Sequence, residues 1–401
     1  TLVPDALYYI SSYDILEEQG LSGLVTQLRQ VVRARQATVL VLDGLATAQS
    51  VAESEVAFKQ FMLELQAAME ATGCTAFLLS QDSNDHPQPV HPPVDGSIEL
   101  RDRRIGLRAV REVTVQKFRG SGYLRGGHLF QITDDGIVIY PRTETLLATP
   151  SQAVSGSGER LGFGIARLDE MLDGGLPTGS ATMVLGAPGS GKTLLGWHFL
   201  AMGARLGQPG LHFGFEETPA ELTGNSVGSM FDLEDHIARG LIDIVWQLPT
   251  EDILDILAER LLSTVRQKQV RRLFIDGLEG FQSAATYPER IKPFFMALAN
   301  ELRALGVTFL YSVETGRYFG PDVEVPVGGG GAIAENIILL RYIELRSRLV
   351  RLLSILKVRA RAYDPTPHEF TITDQGIVVA ETFEFTDGLS GVARPDSSAT
   401  G

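Results

Sequence analysis

ATMVLGAPGSGKT, residues 181–193, is the stretch whose reading decides the fold. Ala181-Thr182-Met183-Val184-Leu185 is a short apolar run that reads as a buried strand. It passes straight into Gly186-Ala187-Pro188-Gly189-Ser190-Gly191-Lys192-Thr193, and then into LLGWHFLAMGARLG, which is helical in pattern. Strand, GxxxxGK[ST], helix is the context in which such a loop cradles phosphate. The glycines let the backbone curl and turn its N–H groups toward phosphate oxygens. The helix behind them presents its positive dipole end to the anion. On this reading all eight loop residues bind ATP, with Lys192 reaching the β- and γ-phosphates and the Thr193 hydroxyl binding Mg²⁺. A glycine-rich turn with an accidental Lys-Thr is the bland alternative, and the flanking strand and helix weigh against it.

Two downstream stretches fit the same site. Gly210 to Phe215 alternates into a strand that ends on Glu216-Glu217. That strand is expected to neighbour the P-loop strand, and two carboxylates at its tip can orient a water on the γ-phosphate and accept its proton. They also suit the start of a helix near Thr218-Pro219, where negative charge is favourable. The loop upstream favours catalysis for at least one of them. Asp276 closes the apolar strand of RRLFIDGL and can hold the Mg²⁺ shell from the strand's carboxyl end. It can equally form a turn with Gly277, and the two roles are compatible.

The chain also repeats itself. Asp43 in VLVLDGL matches Asp276 in RRLFIDGL, an offset of 233 (276 − 43). Lys117 and Arg119 match Lys357 and Arg359, and FQITDDGIVI from 130 matches FTITDQGIVV from 370, both offset by 240 (357 − 117, 370 − 130). Ordered matches at nearly one offset indicate two tandem domains, with the seven-residue difference absorbed in loops. The counterpart of 161–217 is expected ahead of Thr1, so the first copy is expected to be truncated and its P-loop to belong to preceding sequence. The expected organisation is a first domain over 1–145, a linker over 146–160, a second domain over 161–384 and a flexible tail over 385–401. Residues 142–160 are rich in Ser, Thr, Gly and Ala, as a linker should be.

Lys357 and Arg359 stand two apart, so on a strand they share a face and Val358 takes the other. Two cations on one face, repeated in both copies, suit a finger that reaches a γ-phosphate held by a neighbouring subunit. A solvated edge strand blunted by charge is the alternative.

Composition bounds the rest. A chain of 401 residues and 43.6 kDa can build two cores. A net charge of −14 gives no support for broad binding to nucleic acid. The single cysteine, Cys74, excludes a disulfide framework within the chain, reads as core, and points to a cytoplasmic setting. No apolar run reaches membrane-span length. The histidines have no zinc-type spacing, and 82–93 reads as a proline-stiffened polar loop. The loop at 325–333 has neither stacking aromatics nor cations, which weighs against single-stranded nucleic acid there.

At these residues the chain resembles the double-domain KaiC-type ATPases of the RecA-like superfamily. The resemblance runs over nearly the whole chain. It is most specific in GFGIARLDEMLDGGLPTGSATMVLGAPGSGKT, the FEE strand end, RRLFIDGL, and AENIILLRYIELRSRLVRLLSILKVRARAYDPTPHEFTITDQGIVV. It implies two RecA-like α/β domains, each a mostly parallel sheet flanked by helices, assembled as a six-chain double ring. ATP then lies between subunits, Glu216 and Glu217 serve the chemistry, and Lys357 and Arg359 reach across. The expected activity is ATP hydrolysis in a self-assembled ring that serves regulation or signalling, with a regulatory protein partner. A clock-type autokinase, a DNA recombination ATPase and a nucleotide-gated scaffold are the alternatives.

One departure from the family pattern generates a prediction. Where clock-type members carry adjacent serine and threonine acceptors, this chain reads Gly331-Ala332-Ile333-Ala334-Glu335-Asn336, and no serine or threonine lies between Thr315 and Ser347. Phosphoryl transfer needs a hydroxyl in line with the γ-phosphate; the loop before these positions offers the phenol of Tyr318, which sits early in it. Incubation with γ-labelled ATP, followed by mass spectrometry of residues 316–346, should find no stoichiometric phosphate.

Overall fold

The computed structural model describes residues 6–80, 94–149, 151, 158–248, 253–315, 330–345, 348–359 and 362–380. The 82–93 loop, Tyr318, most of 325–333, residues 150 and 152–157 of the linker and the 385–401 tail lie outside them. The chain groups into two compact units, 1–99 with 115–123, and 100–114 with 124–401.

In the first unit, strands β1 (Val39–Asp43) and β2 (Thr75–Leu79) pair in parallel. The helices Tyr13–Arg35 and Glu55–Glu70 bury one apolar stripe each, with Leu24, Leu28, Phe61 and Leu65 in a shared core. Cys74 is buried in that core. The opposite face of the pair leaves Val39, Val41, Phe77 and Leu79 about half exposed. A hairpin of β3 (Gly96–Ile105) and β4 (Arg108–Phe118) follows, its tip grouping with the second unit. Strands β5 (His128–Thr133) and β6 (Gly136–Tyr140), which group with the second unit, continue from β4 antiparallel to complete a four-stranded sheet, β3-β4-β5-β6.

From residue 160 the second unit carries a small antiparallel pair, β7 (Arg160–Leu161) and β8 (Leu176–Pro177). Its main sheet has nine strands: β9 (Ala181–Gly186), β10 (Gly210–Gly214), β11 (Ile242–Trp246), β12 (Arg272–Asp276), β13 (Thr308–Glu314), β14 (Asn336–Leu345), β15 (Arg348–Lys357), β16 (His368–Thr373) and β17 (Gly376–Val379). Their order is β11-β10-β12-β13-β9-β14-β15-β16-β17. From β11 to β14 every pairing is parallel, and from β14 to β17 every pairing is antiparallel. The parallel strands read as apolar runs because both faces are covered. Helices 254–268 and 291–304 pack on Met183, Phe213, Leu273 and Phe309 from one side. The helix Lys192–Arg205 packs on Phe274, Leu310 and Ile338 from the other.

That helix lies close to the sheet because of two glycines. A Cβ on Gly196 would stand 2.3 Å from the Phe274 ring, and one on Gly203 would stand 2.4 Å from Arg272 Cδ. Seven residues apart, the two fall on one face two turns apart. Arg272 is fully buried in β12 and needs its contacts. It donates to Gln208, Gly162 and Phe199 carbonyl oxygens at 2.7–2.9 Å and lies over the Phe199 ring.

The repeat is visible as contacts. The β1–β2 register begins Val39↔Thr75 and the β12–β13 register begins Arg272↔Thr308, both offset by 233 (272 − 39, 308 − 75). From residue 94 the offset is 240. Lys117 Nζ donates to Val94 O at 2.7 Å and Lys357 Nζ to Ala334 O at 2.8 Å. Arg119 pairs with Asp95 and Arg359 with Glu335. The seven extra residues of the second copy therefore fall between β13 and Ala334. A buried network closes the second unit near 143–146. Arg290 donates to both Glu144 and Asp255, while Asp255 Oδ1 accepts from the Thr143 amide and hydroxyl at 2.8 and 2.9 Å.

On an exposed helix Gly→Ala gains about 1 kcal/mol. At Gly196 the methyl group meets an immovable core ring, so Gly196→Ala should instead cost about 1–3 kcal/mol. Urea unfolding of the variant against the parent chain measures the difference.

Candidate functional site

The carboxyl end of the parallel strands gathers most of the chemistry. β9 delivers the chain to Gly186, and Gly189 and Gly191 take φ of 71° and 104° before the helix begins at Lys192. A side chain at Gly186 would strike Leu340 O at 2.6 Å. Lys192 is buried, and its ammonium donates to the Gly186 and Ala187 carbonyls at 3.1 Å each and pairs with Glu314 at 3.4 Å. Tyr342 on β14 donates its hydroxyl to Gly189 O at 2.5 Å. The loop is thus pinned from three sides.

Asp276 ends β12 beside this loop. Its Oδ1 accepts from the Ser312 hydroxyl at 2.8 Å, and Ser312 Oγ accepts from the Gly277 amide at 2.7 Å. Gly277 has φ of 87°, so the turn after the strand and the directed carboxylate coexist. Burial alone would raise the Asp276 pKa, but interactions with His212, Ser312 and Thr193 hold it below the usual carboxylate value. The group stays an anion, and with the Thr193 hydroxyl it offers the hard oxygen donors that suit Mg²⁺.

Glu216 and Glu217 follow β10 and Phe215, both exposed. Thr218 caps the helix Pro219–Gly224 in a reciprocal pairing with Glu221, so the helix start does not need either glutamate. Their side chains are exposed yet partly desolvated by the surrounding protein, and that desolvation, followed by the charge of Asp276, pushes both glutamate pKa values above 4.5. That electrostatic coupling ties them to the Asp276 and Lys192 end of the sheet. The strand order corrects one expectation. β10 is not the neighbour of β9, because β12 and β13 lie between them. The crossover after the P-loop helix skips two positions that later strands fill, and pairing of this kind has no local sequence signal.

Lys357 and Arg359 stand elsewhere. Lys357 ends β15 and pairs in register with Ile337, which is level with Met183, while Gly186 is level with Leu340. At about 3.3 Å per residue, that is roughly 10 Å behind the start of the loop. Both cations are exposed and Val358 is buried, although β15 ends at Lys357 and Leu356 is exposed as well, so strand alternation does not carry through this segment. β15 pairs with β14 along its length, and with β16 over Arg351 to Leu353, four residues before Lys357.

Sequence reading missed Glu314, Ser312, Tyr342 and His212. Serine and histidine inside otherwise apolar strands were the available signals.

The family described as "ATPase: KaiC" matches residues 8–144 and 161–384. The chain belongs to the KaiC ATPase family. KaiC relatives align along most of it. The circadian clock oscillator protein KaiC of Rippkaea orientalis is 24% identical over 385 residues, covering 95% of this chain and 71% of that protein. The protein of the same name from Thermostichus vulcanus is 25% identical over 381 residues, covering 94% and 72%. Circadian clock oscillator protein KaiC 1 of Synechocystis sp. is 25% identical over 368 residues, covering 90% and 70%. The KaiC match fits the tandem RecA-like P-loop fold described above. Among the described residues no helix is long and apolar enough to cross a membrane.

Carboxyl-carbon NMR titration should find Glu216 and Glu217 above their ordinary 4.5 and Asp276 below its ordinary 3.8. Asp276→Asn should move both glutamates down, because it removes a neighbouring negative charge.

Proposed function

We propose that this KaiC-family chain binds Mg-ATP on the 186–193 loop and hydrolyses it at an interface between subunits of a ring. Lys192 reads the terminal phosphates; Thr193 and Asp276 hold Mg²⁺, which supplies charge neutralisation on the phosphates. Glu216 and Glu217 orient a water and take its proton. The single observation that carries the reading is the split in the sheet. P-loop, Asp276 and the glutamates stand at its carboxyl end, whereas Lys357 and Arg359 stand toward the other end, exposed to solvent and resting on the Ala334 carbonyl and the Glu335 carboxylate. Two cations that cannot serve their own loop are fitted to serve a neighbour's, and a head-to-tail contact of that kind closes into a ring, here a homo-hexamer.

The same reading assigns 1–145 to a first RecA-like domain, 146–160 to a linker and 161–384 to the second. The relatives are named as circadian clock oscillator proteins; for this chain we assign a regulatory or signalling role in the cytoplasm, exercised through a protein partner.

Lys192→Ala should weaken binding of ATP analogues by about 10–100-fold, the worth of charge-assisted hydrogen bonds to phosphate. Arg359→Ala should leave binding intact and slow turnover by about 100-fold, since developing charge loses its stabilisation. Mixing the two variants should restore turnover at mixed interfaces. Rings shown to be mixed but still inactive would refute the reading in trans.

A further inference from the structure

His212 is the polar residue in the middle of β10, a strand otherwise built of Gly, Leu and Phe, and it is buried to 2% exposure. Its ring lies flat on Trp197 of the P-loop helix, with centroids 4.6 Å apart and planes within 2°. The Phe274 ring meets it edge-on at 5.5 Å. Neither imidazole nitrogen has a hydrogen-bond partner, and Nε2 stands 3.7 Å from Asp276 Oδ2. An unpaired buried polar group costs about 1–3 kcal/mol, and an apolar residue in this slot would avoid that cost. The carboxylate it faces is already held on its other oxygen, where Oδ1 accepts from Ser312.

We infer that His212 is a positioning residue for Asp276. With the proton on Nε2, the imidazole faces Oδ2 while Ser312 holds Oδ1, so the carboxylate cannot rotate about its Cβ–Cγ bond. A movement of about half an ångström brings the 3.7 Å contact within hydrogen-bond reach. Trp197 extends the arrangement, because it stands four residues after Thr193 on the same helix. Thr193, Trp197, His212 and Asp276 thereby form one packed line that sets the spacing between the two oxygen donors. Partners behind metal ligands commonly act in this way, and their removal costs about 10–100-fold in metal affinity. The inference rests on the Mg-ATP reading above.

The test is equilibrium binding of a fluorescent ATP analogue to the full chain, titrated with Mg²⁺ and repeated in excess EDTA. His212→Phe keeps the stack on Trp197 and removes the N–H. It should raise by about tenfold the Mg²⁺ concentration needed for half of the metal-dependent binding gain, while binding in EDTA is unchanged. His212→Gln, which carries an N–H at similar reach, should recover most of the loss. A urea curve on each variant reports folding, and His212→Leu replaces the Phe variant if that one is unfolded. Wild-type Mg²⁺ dependence in the Phe or Leu variant would overturn the inference, as would equal loss in the Gln variant. A wild-type chain whose nucleotide binding ignores Mg²⁺ would instead refute the Mg-ATP reading itself, and this inference with it.

Discussion

The second unit depends on how closely the P-loop helix approaches its sheet. Gly196 over Phe274 and Gly203 over Arg272 remove the side chains that would hold helix and strands apart. With the helix seated, its first turn faces the carboxyl ends of β9, β12 and β13, and Lys192 reaches the loop carbonyls and Glu314. Arg272 then locks the same helix from below through the Phe199 carbonyl. A fully buried guanidinium is tolerated there because three oxygens and an aromatic face receive it. Loop geometry, metal-directed carboxylate and glutamate pair all inherit their positions from this contact.

The two copies preserve contacts more faithfully than residues. The cation anchored on a backbone carbonyl and the arginine set against a carboxylate recur with Asp95 in one copy and Glu335 in the other. Even the helix ends repeat, since Gln36 and Gln269 both take the left-handed conformation that caps the helix before the strand. The faces differ. Val41 and Phe77 of the first copy are about half exposed, whereas Phe274 and Leu310 at the matching positions lie fully buried under the P-loop helix.

Much of this was legible in the sequence, and what was legible was local. The strand, loop and helix of 181–205 lie within 25 residues, so the motif announces its own geometry. Asp276 was readable as the last residue of an apolar run. Strand order was not readable, because the placement of β12 and β13 between β10 and β9 is decided by crossovers and packing remote in sequence. Ser312 and His212 were passed over for the same reason. Each looks like a blemish in an apolar strand until the third strand that carries Asp276 is set beside it.

The network of Arg290, Asp255, Glu144 and Thr143 binds a segment near the end of the first copy to the body of the second unit. Removing one partner of a buried ion pair leaves an uncompensated charge and costs about 3–5 kcal/mol, while exchanging the whole set for apolar residues can be nearly neutral. Single substitutions at these positions are therefore steep downhill steps, and the joint replacement lies across a valley. Over evolutionary time Glu144, Asp255 and Arg290 are bound to behave as a single inherited character, kept together or lost together, although 146 positions of chain separate the first from the last.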